Sequence, residues 1–140
     1  MSGHEIENFA GFVKAGKALF TIENSKTKGR FTFKVKKLAE KNVWFVSVLN
    51  GPDNYSNYRY VGTIFGNNFR QTTKSLSKKA PAFKAFAWFN NRLNENNLPE
   101  NVNVYHEGRC GRCGRKLTVP ESIKSGYGPE CINLIKVNAL

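Results

Sequence analysis

The chain has 140 residues, 22 Lys and Arg against 10 Asp and Glu, a formal net charge of +12, and 40% hydrophobic residues. That length suits one ordinary domain, or a smaller domain with an appended module, and the apolar fraction can build a core, which excludes wholesale disorder. No run approaches the roughly 18 consecutive apolar residues of a membrane span, and residues 1–16 carry acids without a contiguous apolar stretch, so the expectation is a soluble, cytoplasmic protein with no membrane partner.

From Lys17 to Glu23, the apolar Ala18, Phe20 and Ile22 alternate with Lys17, Leu19, Thr21 and Glu23, which is, Leu19 apart, the period-2 pattern of a half-buried strand. Asn24 to Gly29 is rich in turn formers. Arg30 to Lys36 then alternates again, Phe31, Phe33 and Val35 against Arg30, Thr32, Lys34 and Lys36, so the two segments predict a hairpin with one aromatic and one basic face. Val43 to Leu49 is apolar on both faces, as a central strand is. Asn50-Gly51-Pro52-Asp53-Asn54 opens a long turn, residues 50–57, and Tyr58–Phe65 and Phe69–Thr73, joined by a tight turn at Asn67-Asn68, complete about five antiparallel strands.

Between Lys78 and Glu95 the period changes. Ala82, Ala85, Phe86, Phe89 and Leu93 share one helical face, Ser77 is a suitable N-cap and Pro81 is tolerated in a first turn, while Phe83 and Trp88 fall off the stripe. A single sheet needs cover for its apolar face, and this helix supplies it. The expected fold class is α+β: a sheet of about five antiparallel strands covered by one helix within residues 1–105, then a small cysteine-bearing module over residues 106–140 that ends in a short helix.

The module is read from its cysteines. All three lie within 22 residues, and His106, Cys110, Cys113 and Cys131 form the spacing H-x3-C-x2-C-x17-C. A Cys-x2-Cys turn presents two thiolates on one side of a tight loop, with Gly111 and Gly114 available for positive φ. Cys131, after the helix-breaking Gly128-Pro129, supplies a third thiolate from the first turn of a short helix. Zn2+ wants a fourth ligand, and His106 is the best candidate; water, Glu107 or Glu130 are the alternatives, under which an open, catalytic zinc re-enters consideration.

The cationic excess, shared by residues 1–105 and 106–140, calls for an anionic partner. Arg109, Arg112, Arg115 and Lys116 surround the cysteines and suit phosphate oxygens, or else simply solvate the module. On the sheet, Arg30, Lys34 and Lys36 accompany Tyr58, Tyr60 or Phe45, a pattern that fits a stacking platform for single strands as well as ordinary cross-strand pairing. Enzyme signatures are missing. There is no Gly-rich phosphate loop, no G-x-S-x-G, no H-E-x-x-H and no deaminase-type Pro-Cys-x-x-Cys, so no activity is expected.

The stretch CGRCGRKLTVPESIKSGYGPEC over residues 110–131 resembles a zinc-knuckle domain of unknown function, number 6011 among such domains, which recurs in phage, prophage and mobile-element proteins. The upstream pieces AGKALFTI (15–22), LNGPDN (49–54), YVGTI (60–64) and KAFAWF (84–89) are more loosely similar to proteins carrying it. The resemblance implies a phage-related context and a zinc site through Cys110, Cys113, Cys131 and His106, and it implies no activity. The function expected is therefore non-enzymatic, zinc-stabilised nucleic-acid binding to DNA or RNA. The alternative is an anti-CRISPR-like inhibitor that binds a host protein with an acidic nucleic-acid-binding groove.

Overall fold

The computed structural model describes residues 4–5, 9–39, 41–49, 58–95, 97–118 and 120–138. In chain order the elements are β1 (His4–Glu5), α1 (Phe9–Val13), β2 (Lys17–Asn24), β3 (Arg30–Lys37), β4 (Val43–Leu49) and β5 (Tyr58–Phe65). They are followed by β6 (Asn68–Arg70), α2 (Pro81–Glu95), β7 (Val102–His106), α3 (Pro120–Ser125) and α4 (Pro129–Asn138). The strands form one antiparallel sheet in the order β1-β7-β2-β3-β4-β5-β6. The expected loop 50–57 lies outside the described residues.

The α+β expectation holds, and β2 to β5 are the strands read from the alternation, while β6 runs Asn68–Arg70 rather than Phe69–Thr73, because the turn tightens to Gly66-Asn67 and Asn68 already pairs with Phe65. Two more add at the β2 side, making seven where about five were predicted. One of them, β1, is only two residues, too short to carry a period. The other, β7, alternates Val102, Val104 and His106 against Asn103 and Tyr105, a pattern complete only if His106 counts as a core-facing residue. The β1 pairing of His4 with His106 also places backbone where a frayed terminus was expected.

Alternation sorts the side chains. Phe20, Phe33, Val35, Val46 and Ile64 have no exposed surface, and Phe86 and Phe89 of α2 cover them. Phe33 meets Phe86 edge-on at 5.0 Å and Phe20 meets Phe89 at 5.7 Å, ring geometries that add to the area buried. The off-stripe Phe83 is buried against Phe69, at 4.8 Å, while Trp88 stays exposed beside Arg92. The helix begins at Pro81 rather than Lys78, because a proline without an N–H fits the first helical position, and Ser77 instead accepts from the Lys79 N–H in the turn before it.

Among the described residues no helix lies over the opposite face of the sheet. Lys34 and Lys36 are exposed there, and Phe45 keeps 38% of its surface in solvent, so β4 is central in position while one of its faces is open. The boundary drawn between residues 105 and 106 falls at the last residue of β7. Cys110, Leu117, Tyr127 and Cys131 belong to the same buried cluster as the sheet phenylalanines, and the knuckle is thus joined to the sheet through one core. Among the described residues no helix is long and apolar enough to cross a membrane.

Candidate metal centre and its cationic border

The knuckle is a short ribbon. Arg109 bridges Lys116, Cys110 N–H donates to Arg115 O at 2.8 Å, and Gly114 N–H, at φ +78°, donates to Cys110 O at 2.8 Å. The positive φ expected of the turn is real at Gly114. At Gly111 the need for glycine is different: a Cβ there would lie 2.6 Å from the Phe12 ring. Gly111 N–H donates to Gly126 O and its carbonyl accepts from Lys17 N–H, so this one residue ties the knuckle both to the end of α3 and to the start of β2.

Phe12, fully buried, is the wedge under the module. A Cβ on Gly126, which has φ +83°, would lie 3.0 Å from the same ring, and Phe12 also packs on His106 and Tyr127 at ring distances of 5.9 and 5.8 Å.

On this base Cys110, Cys113 and Cys131 bring their sulfurs within 4.8 Å of one another, all three as free thiols. A zinc tetrahedron with Zn–S bonds of about 2.3 Å has edges of about 3.8 Å, so a small inward closure brings the three sulfurs onto one ion. Cys110 and Cys131 are buried and Cys113 is exposed. Burial pushes the Cys110 thiol up, but the backbone N–H groups of Gly128, Cys113 and Arg112 and the Cys113 thiol outweigh it and hold Cys110 below the ordinary thiol value. Burial pushes Cys131 up, with the neighbouring Cys113 and Cys110 adding to it and the Arg112 guanidinium opposing at 3.5 Å. Tyr127 is pushed up to about 12 by burial and by the Cys110 charge. These donors suit a thiophilic ion.

His106 is not brought into this group. Its ring is fully buried on the core face, Nδ1 accepts from the Gly108 N–H at 3.0 Å, and Nε2 meets Ile123 O at 2.6 Å. Those partners assign the neutral Nε2–H tautomer, with both nitrogens engaged. The physical reason is the strand: as the Cα partner of Phe20, His106 must share that residue's core-facing side of the sheet. Glu107 faces away, accepting from Thr21 Oγ1 at 2.6 Å, and among the described residues no histidine or carboxylate joins the three sulfurs.

Beside the cysteine cluster a pocket of about 330 Å³ opens between the knuckle and the uncovered face of the sheet. Arg109, Lys34 and Lys36, three of the residues singled out from sequence, stand on its walls with Lys17, which sequence reasoning passed over. Tyr58 lines it too, half-buried, with Lys34 Nζ 5.1 Å from its ring centroid. Cys113 and Gly114 close the knuckle side, where Arg109 Nη1 donates to Gly114 O at 3.2 Å.

The remaining candidates lie elsewhere. Arg112 turns to Cys131, and Arg115 and Lys116 are exposed on the ribbon. Arg30 stands opposite Glu23 on the same sheet face. Tyr60 pairs through its hydroxyl with Thr63, accepts from Thr72 Oγ1 at 2.9 Å, and lines a separate hollow with Phe45 and Phe65.

Residues 103–133 match the model of DUF6011, a family of unknown function. The match starts inside β7 and ends in α4, taking in His106, the three cysteines and Gly126, so the matched segment coincides with the cysteine cluster and the strand that seats it. It does not extend to the upstream pieces of looser resemblance. No curated protein and no solved structure matches the chain.

Proposed function

We propose that this protein binds nucleic acid without catalysing a reaction, through the uncovered face of its sheet and the adjoining knuckle, with one zinc ion held by Cys110, Cys113 and Cys131. The observation that carries the reading is the convergence of Lys17, Lys34, Lys36 and Arg109 around the half-buried Tyr58, because cations that track phosphates beside an aromatic ring that stacks a base are what single-strand binding requires. Zinc supplies a rigid cross-link between the Cys-x2-Cys turn and α4. Among the described residues no carboxylate or imidazole joins the three sulfurs, and the glutamate-plus-Pro-Cys-x-x-Cys pattern with which zinc deaminases activate water on such a thiolate site is not matched by this sequence. Arg109 gains most from that cross-link, since its guanidinium is fixed to the knuckle at Gly114 and less entropy remains to be lost on meeting a phosphate.

Fluorescence anisotropy with labelled single- and double-stranded DNA and RNA tests the reading. Binding is expected to fall steeply between about 50 and 200 mM salt, with single strands preferred. Failure to bind all four overturns it and leaves the same cationic face to an acidic protein groove. For the metal, native mass spectrometry should find one zinc per chain, absent in Cys113→Ser; a folded wild-type protein that carries no metal overturns that part.

A further inference from the structure

Resting on the nucleic-acid reading, we infer that the pocket between knuckle and sheet is a site for a nucleotide phosphomonoester, the phosphorylated end of a strand or a free nucleotide, rather than one more contact along a strand's phosphodiester backbone.

The register of the sheet supplies the first argument. Lys17 and Lys36 are direct Cα partners across β2 and β3, and Lys34 stands two residues away. Like charges placed directly opposite one another destabilise a sheet, and among the described residues that line this pocket there is no carboxylate: Glu107 accepts from Thr21, and Glu23 lies at the far end of the strand pair opposite Arg30. Arg109 adds a fourth cation from the knuckle side. An arrangement that costs stability in the free protein and concentrates positive charge at one point is complementary to a concentrated anion. A phosphomonoester carries close to two negative charges near neutral pH, against one for a bridging diester.

Shape gives the second argument. At about 330 Å³ the pocket lies at the lower end of small-molecule sites, room for one phosphate with its attached sugar or base. Cys113 and Gly114 wall it on the knuckle side, and the Lys17 side chain lies along that wall, its Cδ 3.5 Å from where a Cβ on Gly114 would be. The knuckle therefore closes one side of the pocket. The third argument is the apolar lining among the charges: the Tyr58 ring, beside Lys34, and the Leu19 side chain, the cross-strand partner of Lys34, offer an apolar surface to a base or sugar.

The test uses zinc-replete protein and three single-stranded oligothymidylates of one length, with a 5′-phosphate, a 3′-phosphate or hydroxyls at both ends, and thymidine monophosphate as competitor. One phosphorylated oligomer is expected to bind about tenfold more tightly than the hydroxyl form, the scale of an additional charge-assisted hydrogen bond. In Lys36→Gln that preference should shrink towards unity while the melting temperature stays level or rises, because the substitution removes the charge opposed to Lys17. A residue with a merely structural role would not move the two readouts in opposite directions. Displacement by thymidine monophosphate identifies a free-nucleotide site, and its failure identifies a strand end; both support the phosphomonoester. Equal affinity for all three oligomers overturns this inference and leaves the nucleic-acid reading standing. If thymidine monophosphate binds and no oligomer does, the nucleic-acid reading falls and the pocket assignment survives, whereas silence from every probe overturns both.

Discussion

The two faces of the sheet are built from the same strands and differ only in which alternate residue is read. On one face Phe20, Phe33, Val35 and Val46 are sealed under Phe86 and Phe89; on the other Lys17, Lys34 and Lys36 stand in solvent and like charges are set against one another. Burial stabilises the first face, at about 1.5–3 kcal/mol for each large apolar side chain. Nothing comparable is gained on the second. Residues that do little for the fold are free to answer to a ligand, and the opposed lysines are placed where folding alone would not put them. Substitutions at neighbouring positions of one strand can pull the two roles apart.

The largest effect is expected on the sealed face. Phe33→Ala should lower stability by about 3–5 kcal/mol, read by urea unfolding, because its ring is fully buried between Phe20, Phe31 and Phe86. At the seam with the knuckle, Gly111→Ala should cost about 1–3 kcal/mol: the added methyl would meet Phe12, which is held between Gly126, His106 and Tyr127 and has nowhere to retreat. A wild-type urea midpoint in Gly111→Ala would mean that the knuckle is not seated on Phe12.

His106→Leu separates the metal from its support. The leucine leaves Ile123 O and the Gly108 N–H without their ring partners, at about 1–3 kcal/mol for each buried group. The sulfur-to-cobalt charge-transfer and ligand-field bands of the Co(II)-substituted protein should keep their positions, since the imidazole is not among the donors. A shift in those bands would put the ring on the metal.

Much of this was readable from the chain. The strands β2 to β5, the helix that covers them and the three cysteines announce themselves through period and spacing, which are properties of short stretches. What escaped depends on distant partners. His106 fits a zinc-ligand spacing as well as it fits the end of an alternating strand, and only its pairing with Phe20 decides which way the ring points. In the sequence Lys17 is only a polar position of an alternating strand; β3 sets Lys36 across from it and the knuckle sets Arg109 and Gly114 beside it. The best available signal was the glycine pattern: Gly111 and Gly126 mark a close approach, but Phe12, the ring they approach, is about a hundred residues away in the chain.

The smallest stability change, and the most informative binding change, belongs to Lys34, the neighbour of Phe33. Its exposed ammonium gives up a cation–π contact with Tyr58 of about 0.5–1 kcal/mol, and surface substitutions of this kind move stability by about half a kcal/mol or less, so Lys34→Ala should unfold within about 1 kcal/mol of wild type. Its effect should surface in the salt dependence of single-strand binding, where the slope of log K against log salt is expected to fall by about one, the signature of one lost phosphate contact. A slope unchanged at Lys34 while Phe33→Ala destabilises as expected would mean that the open face carries its charge for some purpose other than phosphate. A lowered slope with stability intact would show two adjacent residues of one strand, one serving the fold and the other the ligand.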